Sequence, residues 1–116
     1  MRSMKDFYDL WVLAVQFEFD GRKLQEAIVR TFQQRNTVIP KETPVGLSNA
    51  FAAEKQSQWQ AFLKRTRIDT EPETFLEVIQ ILNTFLIPLL QASAKGEWIA
   101  AIWKPGGPWR SLFDEG

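Results

Sequence analysis

The sequence predicts an all-α fold: a single small helical domain over residues 1–116, built from four to five helices and closed by an irregular C-terminal tail. Three observations predict it. Apolar residues recur at helical spacing through most of the segments between Ser3 and Lys95. Capping residues, prolines and glycines punctuate those segments where helices should begin and end. The chain is 45% hydrophobic, with nine Phe, five Trp and one Tyr in 116 residues, enough apolar area to offset the entropy lost on folding.

The first helix is expected from Ser3 to Phe19. Ser3 suits an N-cap and Asp6 suits the first turn, where the helix dipole favours negative charge. Phe7, Leu10, Trp11, Ala14 and Val15 share a face, while Val12, Leu13 and Phe17 make the remaining surface apolar as well. A helix this apolar all round belongs in a core or against another domain. Asp20-Gly21 should separate it from the next helix, with Gly21 as a C′ residue of positive φ and Asp20 as the following cap.

From Arg22 to Arg35 an amphipathic helix carries Leu24, Ala27, Ile28, Thr31 and Phe32 on its inner side, with Arg22, Lys23, Gln25, Glu26, Arg30 and Gln33 facing water. Pro40 and Pro44 make residues 36–46 a loop. Ser48 starts a short helix over Asn49–Ala53, and a second stretch over Lys55–Arg67 carries Trp59, Phe62 and Leu63. Thr70 and Glu73 have capping-box spacing with Pro72 between them. The helix they open should run to about Lys95 and stop at Gly96, with a kink at Pro88. In the tail, Trp98, Ile99, Ile102 and Trp103 fit one or two further turns or a short extended piece. Lys104-Pro105-Gly106-Gly107-Pro108 excludes regular structure, and Trp109 is expected to fold back onto the core.

Composition narrows the chemistry. Lys plus Arg and Asp plus Glu both number 14, giving a net charge of zero, which is not the balance of a dedicated nucleic-acid binder. The absence of Cys removes disulfides and thiolate metal sites. The absence of His removes the commonest general base and transition-metal ligand. No secretory signal is recognisable between Met1 and Phe19. The most apolar stretch, Phe75–Ala92, contains Glu77, Gln80 and Asn83, which a lipid-spanning helix would not carry without a reason. A cytoplasmic protein without membrane contact is the expectation.

One dense polar cluster lies inside an apolar segment: Lys5-Asp6-x-x-Asp9. On a helix Lys5 and Asp9 share a face, and Asp6 and Asp9 lie three apart. A lysine beside two carboxylates suits contact with phosphate or a metal–nucleotide. The competing reading is a helix-start acid plus an intrahelical ion pair, although Lys before Asp is the weaker order for such a pair. Asp9 also stands in sequence among Phe7, Leu10 and Trp11, where an unpartnered charge would be costly.

Other candidates are weaker. Arg30, Arg35, Lys64, Arg65 and Arg67 could contact phosphates, and an RNA-binding module centred near Arg65 follows from them, but neighbouring acids balance the charge. Pro105–Pro108 lacks the glycine spacing and the Lys-Ser/Thr of a phosphate loop. Glu71, Glu73 and Glu77 have no His partner and make a poor metal site.

Read as a string, Met4-Lys5-Asp6-Phe7-Tyr8-Asp9-Leu10-Trp11 resembles a segment of the AbiEii/AbiGii nucleotidyltransferase toxins of type IV toxin–antitoxin systems. The likeness continues through Phe17-Glu18-Phe19-Asp20-Gly21, Ala27-Ile28 and Trp59-Gln60-Ala61-Phe62-Leu63 to Pro105-Gly106-Gly107-Pro108-Trp109. The resemblance implies that Lys5, Asp6 and Asp9 are active-site residues. Lys5 would contact nucleotide phosphate and Asp9 would be the essential acid, while Asp6 occupies a position that can be Gly in the family. It further implies Mg²⁺ and a nucleoside triphosphate as cofactor and substrate of the complete enzyme, RNA as a target for some members, and an antitoxin partner.

The family's metal-binding segment, a Gly-Ser or Gly-Gly turn followed by Asp-x-Asp on a strand, has no counterpart in these residues. The expectation is therefore the helical C-terminal half of such a toxin, holding no cofactor or metal of its own and inactive alone. The missing N-terminal catalytic half would be its partner. A helical interaction module that forms a homodimer or binds an antitoxin through the first helix is the alternative.

Overall fold

The computed structural model describes residues 3–68, 72 and 74–113. Five α-helices appear in order: α1 (Met4–Gln16), α2 (Gly21–Gln34), α3 (Asn49–Glu54), α4 (Gln56–Thr66) and α5 (Phe75–Ala94). A 3-10 turn over Val45–Leu47 precedes α3. The helical expectation holds, with one addition. In the tail the short extended alternative is realised as strand β2 (Ala101–Trp103), and a further strand β3 (Trp109–Ser111), where only irregular chain was expected, joins it and β1 (Phe19–Asp20) in a small antiparallel sheet of order β1-β2-β3. Phe19 pairs with Trp103, and Trp103 with Trp109.

Local chemistry sets most boundaries. Ser3 caps α1 by accepting from the Asp6 amide, and Ser48 caps α3 by accepting from Phe51. Asp20 accepts from the Arg22 and Lys23 amides and so opens α2. Gly96, at φ +73°, follows the last turn of α5 as expected.

Three boundary expectations are corrected. The first helix ends at Gln16 rather than Phe19, because Phe17 is extended and Phe19 pairs with Trp103 in the sheet. Gly21 is not a left-handed C′ residue but the buried first residue of α2. A Cβ there would lie 2.9 Å from the Ala101 carbonyl oxygen, so the glycine permits close packing of α2 on β2. Helix α5 is capped by Thr74, whose hydroxyl accepts from the Glu77 amide and meets the Glu77 carboxylate. The expected Thr70–Glu73 box lies outside the described residues. The α5 segment is continuous as a helix through Pro88.

Helix α5 organises the core and packs against each of the other four helices. Its N-terminal half supplies Phe75, Val78, Ile79 and Leu82 to a cluster with Phe7, Trp59 and Phe62. Its C-terminal half supplies Phe85 to a second cluster with Ala14 and Trp103. The ring of Trp109 stacks on Phe85 at 6.0 Å.

Indole N–H groups tie the pieces together. Trp103 Nε1 donates to the Ala14 carbonyl at 2.7 Å, one of the last carbonyls of α1, which lack helical partners. Trp109 Nε1 donates to Phe85 and Trp59 Nε1 to Pro72. Fully buried Gln25 donates to Ser93 Oγ and to the Glu97 carbonyl, and accepts from the Ile99 amide. It thereby fastens α2 to the start of the tail, which corrects the expectation that Gln25 faces water: the tail supplies its amide with buried polar partners. No buried side-chain polar atom among the described residues lacks a partner.

Candidate active-site helix

The polar motif is built on the first half of α1. Phe7 and Ala14 fix the helix by burial, while Tyr8 and Trp11 are half-buried and packed on the main cluster. With those side chains turned inward, 3.6-residue geometry turns Lys5, Asp6 and Asp9 outward, and all three are exposed.

The Lys5 ammonium donates to Asp9 Oδ2 at 2.7 Å, with side chains 73% and 52% exposed. The expectation that Asp9 sits in apolar surroundings is corrected: its sequence neighbours Phe7, Leu10 and Trp11 turn toward the core, and its carboxylate faces solvent beside Lys5. The hydrogen bond to Asp9, then the Asp9 charge, with a smaller part from Asp6, hold the Lys5 ammonium above its ordinary pKa of 10.5. Lys5 is therefore fully charged at neutral pH.

The structure thus brings Lys5 and Asp9 together and places Asp6 one turn from the helix start, its amide bound to Ser3. A compact cation–carboxylate pair on an open helix can present an ammonium to phosphate. Nothing among the described residues groups three acidic side chains in a way that could hold a metal ion. One exposed pair with Asp6 beside it does not fit a Mg²⁺ cage, which needs more oxygen ligands converging from a shared concavity.

The other candidates stand apart from the motif. Arg30 and Arg35 are exposed along and at the end of α2, and Lys64, Arg65 and Arg67 at the end of α4. Arg67 closes α4 in a left-handed conformation at φ +59°. Glu77 is engaged in the cap of α5, whereas Glu71 and Glu73 lie outside the described residues.

One feature escaped sequence reasoning, and one was legible there. An apolar recess of about 620 Å³ opens beside α1, lined in part by Phe7, Leu10, Phe32, Leu47, Phe51 and Leu90; it depends on contacts between four distant segments. Leu13 and Phe17, read as part of an all-round apolar helix, remain 40% and 51% exposed. The signal for them was present in the apolar periodicity, which ran beyond what one core face requires.

A family model for the nucleotidyl transferase AbiEii toxin of type IV toxin–antitoxin systems matches residues 1–81. The chain belongs to the AbiEii family. The matched stretch contains α1 to α4 and the first part of α5, and it includes Lys5, Asp6 and Asp9. The sheet-forming tail lies beyond it. No curated protein and no solved structure gives a significant match.

One helix among the described residues, α5, is long and apolar enough to cross a membrane by length and composition. Here it is the element on which the other helices pack.

Proposed function

We propose that this chain is the helical part of an AbiEii-type nucleotidyltransferase, in which Lys5 and Asp9, with Asp6 beside them, complete an active site whose metal-binding carboxylates come from elsewhere. The observation that carries this reading is the coincidence of the family match with the geometry of α1. The Lys5-Asp6-x-x-Asp9 motif lies within the matched residues, and Lys5 and Asp9 stand paired at 2.7 Å on an open helix side. Phosphoryl transfer relies on cations and metal-held oxygens around the triphosphate. Lys5 is suited to hold phosphate, and Asp9 to orient Lys5 and act as the acid of the pair.

The chain contains no Asp-x-Asp, so the 116 residues alone are expected to be inactive in nucleotide transfer. Mg²⁺, the nucleoside triphosphate and an RNA target belong to the complete enzyme in this reading. The type IV system named by the family points to a cognate antitoxin as a further partner, acting in the cytoplasm. Sequencing the DNA directly upstream of Met1 tests the reading. A Gly-Ser or Gly-Gly turn followed by Asp-x-Asp, in frame or in a neighbouring frame, is expected there. Its absence would make the motif a relic.

Exposed Leu13 and Phe17 favour a second reading, in which α1 is an interaction face and the chain a dimerisation or partner-binding module. Light scattering at high concentration checks it, and a strictly monomeric chain argues against the dimer.

A further inference from the structure

We infer that the apolar recess beside α1 is a binding site for a small amphipathic carboxylate, whose hydrocarbon body fills the recess and whose anionic end meets Lys41 and Lys95. The inference goes beyond the active-site reading and does not depend on it.

The recess, about 620 Å³, has the size of pockets that take small organic ligands. Its walls come from α1, α2, α5 and the chain between Pro40 and Phe51. Thr31 has the one polar side chain among the lining residues, and its hydroxyl donates to the Ala27 carbonyl. Ile28, Phe32, Leu86 and Leu90 line the recess while only half-buried, so apolar area remains there for a ligand to cover. The wall at Val45–Leu47 is held by hydrogen bonds of its own. Asn83 Nδ2 donates to the Leu47 carbonyl at 2.6 Å, and Ser48 Oγ donates to the Val45 carbonyl.

Charge beside the recess selects the occupant. A second recess of about 560 Å³ is lined by Lys41, Gln91, Ala94 and Lys95. Pro40 and Lys41 are chain neighbours, as are Leu90 and Gln91, and each pair gives one residue to each recess. The two recesses therefore lie side by side. Both lysines are exposed, and neither forms an ion pair with a described residue. Glu42 and Glu97, their nearest acids in sequence, line neither recess. An apolar cavity bordered by two uncompensated ammonium groups is complementary to a hydrocarbon with a negative end. Leu90 and Lys95 are about 7.5 Å apart along the axis of α5, a span that decanoate covers. A polypeptide fits poorly. Pro40 and Pro44 offer no N–H and the Thr31 hydroxyl is engaged, so peptide amides seated here would lose water without gaining partners.

The test titrates hexanoate, octanoate and decanoate, each below its micelle concentration, into the full 116-residue chain by calorimetry. One-to-one binding is expected, tightening about fourfold for each added CH₂. Leu90→Trp and Gly46→Leu fill the recess by independent routes, since a Cβ at Gly46 meets nothing within 4 Å. Melting curves identify the variants that fold, and each of these is expected to bind decanoate about tenfold more weakly than wild type or worse. Lys41→Gln/Lys95→Gln should weaken octanoate about threefold or more and leave the uncharged probe octanol unchanged.

No saturable binding by wild type, binding only above the micelle concentration, or an affinity indifferent to chain length would overturn the inference. Undiminished decanoate binding by a folded, filled variant would overturn it as well. Octanoate held equally by wild type and Lys41→Gln/Lys95→Gln would remove the anionic end, and with it the carboxylate as occupant.

Discussion

At the scale of single residues, the Lys5–Asp9 pair is a local device with little structural duty. Both side chains are largely exposed, where ion pairs contribute little to stability. Because Lys5 is held above its ordinary pKa in the folded chain, its pairing supports the fold below pH 10.5. That support disappears as pH rises through the raised value. Asp9→Asn removes the largest cause, so the Lys5 titration followed by NMR should move back toward 10.5, while the melting temperature at pH 7 stays within error of wild type. A large loss of stability would instead mark the pair as structural. The motif itself was legible in the sequence through residue type and spacing. Its surroundings were misread because neighbours in sequence do not share a direction on a helix: Phe7 and Trp11 turn in where Asp9 turns out.

At the scale of elements, capping and close packing set the architecture. The threonine hydroxyl and carboxylate of Thr74 and Glu77 open α5, so Thr74→Ala should cost about 1 kcal/mol in chemical denaturation. Gly21→Ala should cost about 1–3 kcal/mol, since the new methyl would press on the Ala101 carbonyl at 2.9 Å. Both positions show where sequence reading stops. Thr70-x-x-Glu73 and Thr74-x-x-Glu77 carry the same capping pattern four residues apart, and pattern alone does not choose between them. Gly21 looks like a helix stop until a strand eighty residues away is laid against it. The strands themselves are two or three residues long, too short to show an alternation, and they exist because Trp103 and Trp109 close over Ala14 and Phe85.

At the scale of the molecule, α5 packs against α1 and the tail bonds to its Ala14 carbonyl, while one side of α1 stays exposed. The helical class was legible because long apolar stripes with caps fix helices almost independently of context. The two-cluster core was not, since it depends on which stripe meets which. The same arrangement explains an α1 more apolar than one core face requires: part serves the core, and Leu13 and Phe17 remain outside it. A family motif displayed on such a side, in a sequence without Asp-x-Asp, is what the proposed shared active site rests on.

The most direct measurement is transfer of labelled nucleotide from each nucleoside triphosphate, with Mg²⁺ and RNA, by the purified 116-residue chain alone and by the same chain joined to a metal-binding half. The predicted result is no transfer by the isolated chain, and transfer by the joined protein that Lys5→Ala and Asp9→Ala each abolish. Transfer by the isolated chain that disappears in Asp9→Ala would contradict it.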